Sequence, residues 1–571
     1  MTRINANTNQ FREWIKIILF HLCLVVLSAI LFALSFPNPV FIKGVSFLAW
    51  FSLIPILFVI SRHNLPACAG WGAIYGFTAY NLFNYWLGNF HPLAGAIVSG
   101  VYLVYLAAVF ALFKLAVILF PKRGYLLQWI IWLAYEYLST LGFLGYPYGV
   151  LGYSQWQVIP LIQIAAITGV WGVSALVAFP SFWISEIITK EFTQRHIEPS
   201  PRGTKDIKEI LKILLETMIK KADRLSGICW AASLALALVF GFINMKDFSS
   251  SPNVQIALVQ SNTDPWLASR AQAPFLIAEG YRKDLNNLIR LSNEALGSEP
   301  KPHLVVWPET AFIPRIYWHS IYRDDQISWG IVRDLLAYLL EQDVPFLIGN
   351  DDARMDRSRN PDAGQKHRVD YNAAMLYENG INTAVYRKMH LVPFTEYFPF
   401  RRQFPWIYDW LVNADTHFWE KGEEKTIFKL PEFSFASPIC FEDSFGYISR
   451  DFTRLGANVL VNLSNDAWAD SLTAQYQHLS MAVFRAVENS RSMVRSTISG
   501  QTCAIDPNGR IIEMAPPFKE TWLNISVPLY NGSTIYTKHG DFTGIFFVIL
   551  LVIILILGAL WCTIKKTMRG A

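Results

Sequence analysis

The sequence predicts a polytopic α-helical membrane bundle of about eight spans that carries an α/β domain on the side away from the cytoplasm. Three observations predict it. Of the 571 residues, 53% are apolar or aromatic and only 16% are charged, against roughly 25% charged in soluble domains, and the mean hydropathy is +0.27. The apolar residues are gathered into runs long enough to cross a hydrocarbon core, which needs about 20 residues of helix. One stretch, 251–536, differs in kind: its charge density is ordinary, and strand-like and helix-like segments alternate through it. This composition excludes a disordered or fibrous chain. The formal charge of +5 is too small to imply nucleic acid, since basic residues are also what membrane-flanking loops carry.

Seven apolar runs precede the mixed region, at about 15–35, 44–60, 68–88, 93–120, 125–144, 158–188 and 226–244, and one follows it at 544–563. Three parts result: a bundle over 1–250, a water-soluble domain over 251–536 tethered at both ends, and a last span with a basic tail over 537–571. The first run exceeds the apolar core of a signal peptide and six more follow it, so it is read as an uncleaved anchor. Orientation follows from the asymmetry of Lys and Arg. With Arg3, Arg12 and Lys16 in the cytoplasm, alternate loops receive Arg62, then Lys122 and Arg123, then a strongly basic stretch from Lys190 to Arg224, while the opposite loops hold almost only Lys43. Lys565, Lys566 and Arg569 fall inside as well, as an even number of spans requires. Both termini are then cytoplasmic and the soluble domain faces outward.

Within that domain, period-2 patterns mark strands at 254–260, 303–308, 345–350, 371–377, 383–389, 433–439, 458–464, 493–499, 501–506, 510–514 and 522–527. Helical patterns lie at about 275–296, 328–342 and 472–489. Helices set between strand-rich runs argue for helices packed on sheets.

Three strand ends carry groups capable of chemistry. Glu309 closes the run Leu304-Val305-Val306-Trp307-Pro308, where apolar neighbours would raise a carboxyl pKa toward that of a useful base. Lys388 closes an alternating strand, a place where an edge charge is ordinary. Cys440 ends a strand at a sharp turn, whose backbone N–H groups lower a thiol pKa and can hold an oxyanion. The six cysteines, Cys23, Cys68, Cys229, Cys440, Cys503 and Cys562, show neither C-x-x-C nor metal spacing. Four of them sit in or beside apolar segments, so a disulfide framework is not expected.

Glu, Lys and Cys in this order, each at a strand end, resemble the nitrilase superfamily, whose members carry that triad on an αββα sandwich. With the multi-span region before it and the single span after it, nearly the whole chain is similar to the apolipoprotein N-acyltransferase family, inner-membrane enzymes that complete bacterial lipoprotein maturation. Further matching stretches are Gly145-Tyr146-Pro147-Tyr148, Gly152-Tyr153-Ser154-Gln155, Val392-Pro393-Phe394-Thr395-Glu396-Tyr397-Phe398-Pro399 and Asn465-Asp466-Ala467-Trp468.

The resemblance implies Cys440 as nucleophile, Glu309 as base and Lys388 as the cation near the developing oxyanion. It assigns supporting roles to Glu396 and Glu442, places Asn465 and Trp468 beside the site, and carries the family's Trp after the first strand onto Trp266. It implies a phospholipid acyl donor, a diacylglyceryl apolipoprotein acceptor, a thioester intermediate and neither metal nor organic cofactor, in the bacterial inner membrane with the catalytic domain periplasmic. A membrane-tethered amidase acting on small amides would use the same triad. A transporter or receptor would have no use for it.

Three further expectations concern the membrane side. Aromatic residues near Phe83, Tyr85, Trp86, Phe90, Tyr146 and Tyr148 line an acyl groove or form an interfacial belt. Glu136, deep in the fifth run, is a functional candidate because a buried charge there is costly. The Trp- and Phe-rich segment 400–424, long for a connection, is a lid.

Overall fold

A computed structural model describes residues 2–90, 92–194, 224–263, 274–355, 368–413 and 417–570. Trp266 and most of the basic stretch between Lys190 and Arg224 lie outside the described residues.

Among the described residues five helices are long and apolar enough to cross a membrane: Phe11–Ser35, Ala94–Leu119, Val170–Lys190, Arg224–Asn244 and Phe542–Trp561. They coincide with five of the eight expected runs. The other three are shorter, broken or less apolar, for local reasons. The run 44–60 is a 3-10 turn, Ser46–Trp50, followed by a helix Ile54–Ser61 with Pro55 in its first turn, because proline lacks the N–H a continuous helix needs there. Its 8 residues rise only about 12 Å. The run 125–144 yields the 15-residue helix Gly124–Leu138, which ends before Gly142 at φ +77. The run 68–88 is the continuous helix Leu65–Phe83, capped by Asn64 and carrying Gly70, Gly72 and Gly76 within it. A Cβ on Gly72 or Gly76 would stand 2.5 or 2.4 Å from backbone oxygens of Leu106 and Tyr102, so these two glycines let the helix lie directly on Pro92–Leu119.

Glu136 is buried and satisfied. It accepts hydrogen bonds from Trp132 Nε1 (2.9 Å), the Leu151 N–H (2.9 Å) and the Ser174 hydroxyl. It therefore ties the helix Gly124–Leu138 to the turn Leu151–Gln155 and to the helix Val170–Gln194, and the functional expectation for it gives way to a structural one.

Among the described residues the soluble part contains twelve strands in two six-stranded sheets. The first, ordered β12-β1-β2-β3-β4-β5, comprises β1 (Asn253–Gln260), β2 (Leu304–Val306), β3 (Phe346–Met355), β4 (Arg368–Glu378), β5 (Ile381–Arg387) and β12 (Thr521–Pro528). The second, ordered β11-β10-β9-β8-β7-β6, comprises β6 (Phe428–Lys429), β7 (Ser434–Ala436), β8 (Val459–Ser464), β9 (Ser492–Thr497), β10 (Cys503–Ile505) and β11 (Ile511–Met514). Each sheet has three parallel strands at its centre, β1-β2-β3 and β7-β8-β9, with antiparallel strands outside them. Central strands that are buried on both faces read as continuous apolar runs, as Leu304-Val305-Val306 does. Helices Pro274–Leu296 and Gln326–Leu340 pack on the outer face of the first sheet, and Leu472–Asn489 on the second. Every strand and helix expected for this region is present; β6, two residues long, was too short to leave a pattern.

Candidate active site

Parallel strands deliver their carboxyl ends to one region, where α/β folds gather functional groups. Glu309 follows β2 in a turn that includes Thr310 at φ +49. The turn lies against β3 at Gly349, where a Cβ would sit 2.4 Å from the Pro308 oxygen and 2.7 Å from Glu309 Cα. Only glycine permits that approach. The buried carboxylate accepts hydrogen bonds from Asn372 Nδ2 (2.7 Å) at Oε1 and from the Asn465 N–H (2.9 Å) at Oε2.

Lys388 continues β5 by one residue, its N–H donating to the Asn372 backbone carbonyl at 2.8 Å. Its side chain is fully buried, with Nζ 2.6 Å from Glu396 Oε1 and 3.4 Å from Glu309 Oε1. Burial by itself lowers an ammonium pKa, but the charges of Glu396 and Glu309 outweigh it and hold Lys388 above the ordinary lysine range. The second oxygen of Glu396 accepts the Val392 N–H at 2.8 Å.

Cys440 starts the turn Cys440–Ser444 at φ +49, a left-handed conformation that costs a non-glycine residue free energy. Asn462 Nδ2 holds its carbonyl at 3.2 Å. The thiol lies within electrostatic reach of Glu309, Lys388, Asp466 and Glu396. Contrary to the expectation from turn geometry, its pKa is pushed well up, first by burial and then by Glu309, with Lys388 opposing. The N–H groups of one short turn do not offset desolvation beside three carboxylates. Burial and these carboxylates favour the protonated sulfur.

Glu442 splices the two halves of the site. Its Oε1 accepts the N–H groups of Met389 (2.8 Å) and His390 (2.9 Å), its Oε2 accepts that of Ile439 (2.8 Å), and the Tyr386 hydroxyl lies 2.9 Å from both oxygens. Burial pushes its carboxyl pKa up, and the backbone donors pull it back.

Sequence reasoning missed Asn372, Tyr386 and a buried cluster of Asp443, His478, Asp466 and Arg495. The available signals were polar residues at inward positions: Asn372 at a buried position of β4, and Gln475, Gln477 and His478 in a helix with no clean polar face. Trp468 lies in the 3-10 turn Asp466–Ala469 just beyond Asn465.

The membrane bundle reaches this site. Phe441 stacks near Tyr148 (6.3 Å, 16°) and Tyr146 (6.5 Å, 28°), which stack on each other at 4.8 Å, and Trp86 lies 5.9 Å from Tyr148. Phe83 instead packs into the bundle core against Phe36 at 4.9 Å, Tyr85 donates to Thr473, and the Phe90 side chain lies outside the described residues. In the segment 400–424 the helix Pro405–Asn413 buries no residue, Trp406 and Trp410 are exposed, and in the returning chain the Trp419 N–H donates to the Glu396 backbone carbonyl and the Gly422 N–H to the Lys388 backbone carbonyl, both at 2.8 Å. Asp351, Asp370 and His417 also converge, but Arg315 already stands 3.0 Å from Asp370 and supplies the cation there.

A two-sheet domain with these strand-end groups, joined to apolar helices, defines a membrane-bound protein of the carbon-nitrogen hydrolase class; residues 256–531 match that family. Residues 28–183 match the N-terminal domain of apolipoprotein N-acyltransferase. Over 563 residues the chain is 42% identical to apolipoprotein N-acyltransferase 1 of Treponema denticola, covering 96% of this chain and 97% of the relative. It is 43% identical over 555 residues to the Treponema pallidum protein of that name, with the same coverage. To the Geobacter metallireducens apolipoprotein N-acyltransferase it is 31% identical over 531 residues, 91% of each chain. The chain belongs to the apolipoprotein N-acyltransferase family.

Proposed function

We propose that this protein transfers a fatty acyl chain from a membrane phospholipid to the N-terminal α-amino group of the diacylglyceryl-cysteine of apolipoproteins, through a thioester on Cys440. The observation that carries the reading is the meeting of Glu309, Lys388 and Cys440 in a buried site whose next residue, Phe441, lies against Tyr146 and Tyr148 of the apolar bundle. A thiol there has lipid-like surroundings on one side and a base on the other.

In the first half-reaction Glu309 takes the thiol proton as sulfur attacks the ester carbonyl. The S–C bond forms, the ester C–O bond breaks, and the proton passes from Glu309 to the departing lysophospholipid oxygen. In the second, the acceptor amine attacks the thioester, Glu309 takes the amine proton, the C–S bond breaks and the proton returns to sulfur. Lys388 is the positive charge closest to each tetrahedral oxyanion, a type of interaction worth about 10²–10³ in rate. Asn372 and the Asn465 N–H orient Glu309, Glu396 holds Lys388, and Glu442 holds the Cys440 turn against the Lys388 strand end. The helix Pro405–Asn413, with its outward tryptophans, is read as the cover of the site. The same reading sets the protein in the bacterial inner membrane, termini cytoplasmic and soluble domain periplasmic.

Incubation of the full chain with phospholipid alone should leave an acyl adduct on Cys440 by mass spectrometry, and addition of a diacylated lipopeptide should discharge it to the amine. Cys440→Ala should abolish both. Transfer retained by that variant sinks the assignment, and turnover of small amides without acyl-peptide formation favours an amidase.

A further inference from the structure

Behind the turn Cys440–Ser444 lies a cluster of charged groups that the chemistry above does not use. Asp443, in the same turn as Cys440, is fully buried. His478 Nε2 stands 2.6 Å from its Oδ1, and the Arg495 guanidinium contacts its Oδ2. The other ring nitrogen of His478, Nδ1, lies 3.1 Å from Asp466 Oδ1, while Arg495 Nη2 is 3.5 Å from Asp466 Oδ2 and 3.2 Å from Nδ1. Ser464 Oγ donates to Asp466 at 2.9 Å. Gly500 backs the cluster, since a Cβ there would be 2.6 Å from Asp466 Oδ2.

Two features of this arrangement have consequences for the site. Asp443 belongs to the nucleophile turn, and Asp466 directly follows Asn465, whose N–H holds Glu309. The cluster thus bridges the segment carrying the thiol and the segment orienting the base. Second, a neutral imidazole has one donor and one acceptor, whereas the two nitrogens of His478 face two carboxylates. Only the imidazolium donates to both; Arg495 Nη2, 3.2 Å from Nδ1, opposes that charge, and the two carboxylates outweigh it.

We propose that His478, as the imidazolium between Asp443 and Asp466, is a positioning residue that sets the Cys440 turn relative to Glu309 and offsets the Asp466 charge acting on the thiol. The groups facing it are Asp443 from the turn, Asp466 from the segment after β8, and Arg495 from β9; Cys503 of β10, Tyr148 of the bundle and Cys440 adjoin the same carboxylates. Burial works against the charge on His478, but Asp443 and Asp466 hold its proton up to about pH 9.

The inference rests on Cys440 as the acylated residue, and its test separates the two. Thioester formation is followed by rapid quench from pH 6 to 10, using the full chain in nanodiscs of phosphatidylethanolamine and phosphatidylglycerol without acceptor. In parallel, iodoacetamide labelling of Cys440 is read by peptide mass spectrometry with no acyl transfer involved. The wild-type acylation rate should fall above about pH 9 as His478 deprotonates; ionisation of Cys440 would have the opposite sign. His478→Asn should lose that limb and lower the plateau by up to the order of 10²-fold, the scale of a small misplacement, and it should label more slowly at pH 8. Asp466→Asn, which removes one of the two anions holding the proton, should move the limb to lower pH and serves if His478→Asn does not fold. Unchanged profiles for acylation and labelling in both variants overturn the inference. Should the wild type form no adduct while labelling still depends on His478, the acylation reading fails and the positioning role stands.

Discussion

Replacing Glu442 by Gln keeps the side chain's shape and removes its charge, so the consequence is countable. The carboxylate accepts three backbone N–H groups and lies within reach of the Tyr386 hydroxyl. If the Gln oxygen serves Met389 and His390, its amide nitrogen confronts the Ile439 N–H, and two donors meet. A buried donor left unsatisfied costs about 1–3 kcal/mol, and each of the two bonds that lose a charged acceptor weakens by about 1 kcal/mol, so the variant loses about 3–5 kcal/mol of local structure. The loss falls beside the nucleophile, because Ile439 precedes Cys440. Hydrogen exchange of a peptide spanning 435–445 should accelerate about 10²-fold or more, by the factor of ten that each 1.4 kcal/mol represents. Thioester formation should slow with it. Tyr386→Phe, which leaves the three backbone donors in place, should do less. Wild-type exchange at Ile439 in Glu442→Gln would refute the splice.

Lys388→Met leaves Glu309 and Glu396 facing each other without their shared cation; adduct formation should fall about 10²–10³-fold, and a rate within threefold of wild type removes Lys388 from the oxyanion role. Gly349→Ala forces the Glu309 turn away from β3, so acylation should drop on the order of 10²-fold while phospholipid still binds in an equilibrium assay; an unaltered rate would show that the turn yields freely. His478 also makes a pH-dependent contribution to stability. Its pKa is raised from 6.5 to about 9, so the stabilisation is complete below about pH 6.5 and lost as pH rises through about 9. At 1.36 kcal/mol per unit it reaches about 3 kcal/mol. Thermal inactivation of wild type and His478→Asn should differ widely at pH 6 and converge by pH 10, and a gap that does not vary with pH contradicts the charged imidazole.

Much of this protein is legible without coordinates because its signals are local. Leu304-Val305-Val306 followed by Trp307-Pro308-Glu309 announces a buried strand that must end, and the same reasoning finds Cys440 after β7. Apolar runs of membrane-crossing length appear wherever a helix is continuous, as at Phe542–Trp561. Where a run contains Pro55, or Pro160 and Gly169, counting apolar residues overestimates the helix, since backbone hydrogen bonding rather than hydropathy decides its length.

The sequence determined which residues close strands and which segments avoid water, as both follow from side-chain chemistry read at short range. Tertiary structure decided the rest. Asn372, Tyr386, Glu442 and His478 acquire their partners from segments 12 to 63 residues away, and the Cys440 thiol is raised rather than lowered because three carboxylates from different loops converge on it. Electrostatic free energy depends on distance and desolvation, and neither quantity exists until the two sheets and the bundle have packed together.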